Sequence, residues 1–218
     1  MFSAIKLYAG SRVEDNGHIL YYILLWLIWK DRCSRIFEGT GSTSSQIIRR
    51  AMALTKERTQ KNPLIKAIAN KSVGAIVDGA FLNRDTIAGI GIIVFQGRTI
   101  LHAVSQPVRT TSALMTEAKA IASAIYIKES QHIPDLIIFT DSKASVDILH
   151  HEVKGPPEIE EIFKQLWESN LEGSVTFCHR PYTTGADWLA KEAIRTGHSM
   201  WWDTNFPPGL SSFFYFGM

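Results

Sequence analysis

Only two cysteines, Cys33 and Cys178, occur in 218 residues. That is too few for a disulfide framework, so stability must come from a packed core, and the chain reads as intracellular rather than secreted, with nucleus and cytoplasm equally open. Long apolar runs are also missing. The longest, Ile19 to Trp29, has 11 residues, well short of the ~20 that span a bilayer. It begins behind Glu14 and Asp15, which does not suit a signal peptide, so no membrane partner is expected. There is no internal repeat, no low-complexity tract and no Gly/Ser linker long enough to act as a hinge. With 45% hydrophobic and 20% charged residues, the chain is too apolar to stay disordered, and its length suits one domain plus an appendage, or two small domains.

Net charge is scarce too, at +2, but the figure averages two unlike parts. Residues 1–74 hold twelve Lys/Arg against five Asp/Glu, whereas residues 75–218 hold eleven against sixteen. A basic part suggests nucleic-acid contact, and an acidic one argues against it unless the carboxylates hold metal.

The basic part reads as two helices. His18 to Phe37 is apolar on nearly all faces and then basic, a pattern that predicts a buried helix. Gly39–Ser45 is a loop that can cap a second helix, Gln46–Gln60, which carries Arg49, Arg50, Lys56 and Arg58 and is closed by Asn62-Pro63. From Val73 the period changes. Val73–Phe81, Ala88–Phe95 and Thr99–Ser105 read as strands separated by the turn-like LNRDT (82–86) and Gln96-Gly97, which favours an antiparallel meander. An amphipathic helix capped by Ser112 runs to Ser130, followed by a strand at Leu136–Thr140 and a helix at Ser142–His151. An acidic helix at Glu158–Asn170, a strand at Val175–His179 and a helix at Thr184–Arg195 complete the series. The order βββ-α-β-α-α-β-α predicts a mixed α/β sheet flanked by helices.

Four carboxylates stand in unusual places. Asp78 interrupts the strand AIVDGAF, where it is either a turn residue ending a short strand or a polar group inside the sheet. Glu117 falls on the apolar stripe between Leu114 and Ala118/Ile121, where it either snorkels to solvent or needs a partner. Asp141 follows the strand LIIFT, and Asp187 lies in Thr-Gly-Ala-Asp; taken singly, both have the form of helix caps. The four can also converge at one edge of the sheet, where ligand sites of open α/β sheets cluster. Oxygen-only ligands that repel one another there suit Mg²⁺, or Mn²⁺, and two such ions can activate a water and stabilise the leaving oxygen of a phosphodiester.

The segments VDGA (77–80), TEAKA (116–120), FTDSKASVDIL (139–149) and GADWLAKEA (185–193) resemble the active-site blocks of the ribonuclease H fold. More narrowly, they resemble the plant ribonuclease H-like domains at the ends of non-LTR retroelement reverse-transcriptase reading frames, and WLIWKDRCSRIFEG (26–39) resembles the connector before that domain. The resemblance covers residues 72–197 and implies there a ribonuclease H-like domain with a five-stranded mixed sheet, which leaves a basic, helical N-terminal extension or connector (1–71) and an aromatic tail (198–218). It also implies metal-dependent endonucleolytic cleavage of the RNA strand of RNA–DNA hybrids. Asp78, Glu117, Asp141 and Asp187 match the catalytic, metal-binding carboxylates, with two Mg²⁺ ions as cofactor and the hybrid as partner. Gly79, Ala80, Phe81 and Ser112 would face the minor groove, where 2′-OH groups distinguish RNA from DNA. Arg49, Arg50, Lys56 and Arg58 are the first candidates for phosphate contacts.

The chain departs from the bacterial pattern. Ala113 and Leu114 stand where an asparagine pair precedes the Glu, and Pro157–Asn170 is acidic where a basic substrate-gripping helix is expected. His179 is the nearest counterpart of a mobile loop histidine, and Thr183 follows Arg180 where Arg-x-x-Asn is usual. These differences motivate the alternative of a catalytically weak or inactive module that binds nucleic acid or protein. A proofreading exonuclease would need an acid at position 80, which is Ala, and an integrase-type triad would end in Glu rather than Asp187. No paired-aspartate polymerase motif is present.

Overall fold

The computed structural model describes residues 17–82, 87–208 and 210, with side chains described outside 17–19 and 56–61. The first sixteen residues, most of the LNRDT turn (83–86), the side chains of Lys56 and Arg58, and part of the aromatic tail (209 and 211–218) lie outside the described residues. The chain divides into two compact units, the boundary falling between Asn62 and Pro63. No helix of the described residues is long and apolar enough to cross a membrane.

The first unit is a helical hairpin of α1 (Gly17–Phe37) and α2 (Ser44–Lys61). Thr43 starts α2 with a reciprocal capping box: its hydroxyl accepts the Gln46 N–H at 3.3 Å, and the Gln46 side chain accepts the Thr43 N–H at 2.8 Å. Ile23 and Leu27 of α1 pack against Ala51 of α2. The burial expected all round α1 is not observed. Among the described residues of its unit α1 has one neighbour, so it buries one stripe, with Tyr22 70%, Trp29 63% and Phe37 81% exposed.

The second unit opens with α3 (Pro63–Ala69), a helix at a place where the sequence pattern shows only the close of α2. Proline at a first helical position loses no hydrogen bond, so Asn62-Pro63 ends one helix and starts another. Leu64, Ala67 and Ile68 of α3 are buried. Strands β1 (Val73–Leu82), β2 (Ile87–Gln96) and β3 (Thr99–Arg109) form the antiparallel meander. Helix α4 (Ala113–Ser130) leads to β4 (Ile137–Thr140), which pairs parallel to β1. Helices α5 (Lys143–Leu149) and α6 (Pro157–Glu168) precede β5 (Val175–Phe177), parallel to β4. Helix α7 (Thr184–Thr196) ends at Gly197, whose φ of 68° gives it the left-handed cap.

The sheet has six strands, not five, in the order β5-β4-β1-β2-β3-β6. The added strand β6 (Met200–Trp202) pairs antiparallel to β3 and comes from the tail, where no strand is expected from the sequence. Three residues are too few to show alternation. Asp203 fixes this edge, accepting from the Trp201 indole and lying 2.6 Å from His102 Nδ1 on β3.

Both sheet faces are covered. Ala75, Val77, Ile90, Ile92 and Val94 share a core with Ala118, Ile121 and Ile125 of α4 and with Ile159, Phe163 and Leu166 of α6. The glutamates of α6 therefore belong to an amphipathic helix whose apolar side is core. On the other face α7 lies directly on β2. A Cβ at Gly89 or Gly91 would come within 2.0 Å of the carbonyl oxygens of Ala190 and Ala186, so only glycine lets helix and strand approach this closely. Ser105 of β3 adds a hydrogen bond to the Leu189 carbonyl at 2.8 Å.

Candidate active site

Asp78 is 4% exposed in the middle of β1, four residues before the strand ends, so it is not a turn aspartate. Its Oδ1 accepts the Gly79 N–H at 2.8 Å. Glu117 reaches it from the first turns of α4, and Gly79 makes that approach feasible: a Cβ there would lie 2.9 Å from Thr116 and 3.0 Å from the Glu117 nitrogen. Thr116 is fully buried and bonds both the Thr110 hydroxyl (2.7 Å) and the Ser112 carbonyl (3.0 Å), which fixes the start of α4. Glu117 does not snorkel. Its Oε2 is buried and has no hydrogen-bond partner.

Asp141 follows the C-terminal end of β4, and the capping of α5 is done by its neighbour Ser142, whose hydroxyl accepts the Ser145 N–H. The Asp141 carboxylate is thus available. Asp78, Glu117 and Asp141 each offer one oxygen, and these atoms lie within 4.8 Å of one another. Asp187 is not a cap either: α7 starts on Thr183 without a side-chain cap bond, and Asp187 Oδ2 accepts from Lys191 Nζ at 2.6 Å, one turn on. It lies outside the close group of three, but its charge is felt at Asp78.

The electrostatics show a site short of positive charge. Burial, then the charges of Asp141 and Asp187, push Asp78 up to about 7. Burial, then Asp78 and Asp141, push Glu117 up to about 9. Burial, followed by Asp141 and Asp78, also raises the Cys178 thiol to about 12, which leaves it protonated and unreactive at neutral pH. An all-oxygen donor set, an orphaned buried carboxylate oxygen and mutually repelling acids fit a hard divalent cation. The residues that can hold it are Asp78, Glu117 and Asp141.

Two side chains that sequence pattern does not assign to the site touch Asp141. The fully buried Thr183 donates its hydroxyl to Asp141 Oδ2 at 3.1 Å, sharing it with the Arg180 carbonyl at 3.0 Å. The Arg180 guanidinium stands 4.0 Å from the same oxygen and is largely exposed. Both sit on the turn between β5 and α7, whose approach to the end of β4 no local pattern discloses. His179 begins that turn as an exposed residue, with its ring edge-on to Phe177 at 5.4 Å.

The remaining candidates are spread around this centre. Gly79, Ala80 and Phe81 are half-buried along β1. The Ser112 hydroxyl caps α4 by accepting the Met115 N–H at 3.1 Å. Arg49 and Arg50 are exposed on α2, which belongs to the first unit together with the backbones of Lys56 and Arg58.

Comparison with known proteins agrees with this geometry. Residues 76–193 match the family model described as reverse transcriptase-like. Among solved structures, RNase H1 from the halophilic archaeon Halobacterium salinarum NRC-1 superposes with a TM-score of 0.52 at 21% identity, covering 57% of this chain and 98% of its own. LC11-RNase H1, isolated from compost by a metagenomic approach, gives 0.51 at 22% identity and covers 58% and 98%. The N-terminal RNase H domain of a Mycobacterium tuberculosis protein gives 0.50 at 20% identity, covering 57% and 96%. No curated protein matches by sequence. The family match spans more than half of the chain and contains all four carboxylates, so the chain belongs to the reverse transcriptase-like family and carries the ribonuclease H-like fold.

Proposed function

We propose that the chain is a metal-dependent endoribonuclease that cuts the RNA strand of RNA–DNA hybrids. The observation that carries this reading is the group of Asp78, Glu117 and Asp141, with oxygens within 4.8 Å in a ribonuclease H-like fold. LC11-RNase H1 is known in complex with an RNA/DNA hybrid, which supports the substrate class. Divalent ions, Mg²⁺ or Mn²⁺, would supply an activated water and charge stabilisation for the leaving oxygen. Asp78 and Glu117 would hold them from β1 and α4, and Asp141 from the end of β4. Asp187 would take part by turning from Lys191 toward the centre. Thr183 keeps the Asp141 carboxylate oriented. Gly79, Ala80, Phe81 and the start of α4 at Ser112 would line the minor groove, where the Ser112 hydroxyl accepts the Met115 N–H and keeps its own proton to donate.

A second reading is a binding module that holds the hybrid without cutting it. The cations beside the acids favour it, because Lys191 pairs with Asp187 and Arg180 stands near Asp141. Incubation of the full chain with strand-labelled hybrid, duplex DNA and duplex RNA separates the two. The enzyme reading predicts products from the RNA strand of the hybrid alone, whereas binding without product in both Mg²⁺ and Mn²⁺ would support the module.

A further inference from the structure

The helical hairpin contains a cavity of about 200 Å³, lined by Leu27, Lys30, Asp31, Ser34 and Arg50 from the two helices and by Thr40–Ser42 from their loop. Its walls are held in place by one acid. Asp31 Oδ1 accepts the Ser42 N–H at 2.6 Å, and Asp31 Oδ2 accepts Arg35 Nε at 2.7 Å. Arg35 in turn donates to the Ser42 carbonyl at 2.5 Å, so the loop is fastened to α1 by two bonds. Both oxygens of Asp31 are committed, its charge is balanced by Arg35, and the Ser42 N–H and then Arg35 hold its carboxyl below the usual range.

The two other charges in the wall are uncompensated. Lys30 and Arg50 make no ion pair among the described residues; Lys30 has only the face of Trp26, with its ammonium 5.3 Å from the ring centre. They come from different helices, and the hydroxyls of Ser34, Thr40 and Ser42 line the same space. A preformed concavity with two cations unpaired among the described residues, the Ser34 hydroxyl and one neutralised acid is complementary to a compact oxyanion, the Thr40 and Ser42 hydroxyls being turned to Glu38 and Asp31. At about 30 Å³ per water, the cavity has room for a phosphate group with part of its hydration. We infer that this cavity seats a phosphate group and, resting on the hybrid-cleaving function proposed above, that the group is a backbone phosphodiester of the nucleic acid. The hairpin then grips the substrate at one defined point through Lys30 and Arg50, rather than through a diffuse basic surface.

The test compares the full wild-type chain with a Lys30→Gln/Arg50→Gln double variant. Both side chains are exposed, and far-UV circular dichroism checks that the hairpin keeps its helices. Hybrid affinity is measured by anisotropy across a KCl series, and inorganic phosphate is titrated separately while the Arg50 side chain and the Ser42 amide are followed by NMR. In the double variant the slope of log K against log[KCl] should become shallower by about 1. Both NMR signals should shift saturably in wild type, and the Ser42 amide should no longer respond in the variant. Phosphate shifts with an unchanged slope would overturn the nucleic-acid assignment and leave a free-anion seat. An unchanged slope without phosphate shifts would overturn the seat itself. Wild type that titrates with phosphate but neither binds nor cleaves the hybrid would instead overturn the proposed function and the phosphodiester assignment.

Discussion

Burial and neighbouring charge raise Asp78 to about 7 and Glu117 to about 9, and this sets the behaviour of the metal-free site. A carboxyl raised above its unfolded value contributes most to stability below that unfolded value, near pH 4, and the contribution is lost as pH rises through the folded value. The Asp78→Asn variant keeps an oxygen for the Gly79 N–H and removes the repulsion. Its metal-free form should gain on the order of 2 kcal/mol at pH 8 and much less at pH 5, read as a melting-temperature difference that widens with pH. A variant less stable than wild type at pH 8 would contradict this role of Asp78. Metal binding has the same sign: protons must leave before a cation enters, so Mn²⁺ affinity should rise between pH 6.5 and 8.5 by about tenfold per pH unit for each proton displaced. Calorimetry in buffers of different ionisation enthalpy would count those protons. At Asp141, Thr183→Val should weaken Mn²⁺ binding by about tenfold, with Thr183→Ser restoring it. Weakening in Thr183→Ser but not in Thr183→Val would show that the methyl group, not the hydroxyl, matters.

Among the elements, α7 depends on two glycines of the strand beneath it. Gly91→Ala would drive a methyl group to 2.0 Å from the Ala186 carbonyl, and backbone cannot yield as a side chain does. The expected cost is about 3 kcal/mol, measured by urea denaturation. A neutral result would mean that α7 sits farther from β2. The neighbouring elements show what sequence can and cannot disclose. The Asp-Gly-Ala of β1, the amphipathic stretch around Glu117 and the apolar strand before Asp141 carry their periodicity in consecutive residues, so the meander, the helices and the carboxylate set are legible. Thr183 and Arg180 matter because they meet Asp141 across 42 and 39 positions, and no window of local pattern spans that distance. The helix at Pro63 is hidden because proline serves equally as stop and start. The edge strand β6 is hidden because it is three residues long and its side-chain anchor, Asp203, meets His102 across 101 positions.

For the whole molecule, the small net charge conceals an uneven distribution of charge along the chain. The excess of base lies before position 75 and the excess of acid after it, where three of the acids form one centre. The hairpin ends at Asn62, so deletion of residues 1–62 removes it at the boundary between the two units. The truncated chain should keep its three-carboxylate centre yet bind hybrid with a shallower salt dependence, by about 1 unit of slope for each phosphate that the hairpin neutralises. An identical slope would place the phosphate grip in the second unit. The central claim, that the three carboxylates make a divalent-metal nuclease centre, is tested most directly by single-turnover cleavage of a labelled RNA–DNA hybrid with wild type and Asp141→Asn, each with chelator, Mg²⁺ or Mn²⁺. RNA-strand products are expected from wild type only when metal is present, with a loss of about a thousandfold or more in the variant. Cleavage that survives chelation, or that is unchanged in Asp141→Asn, would contradict the claim.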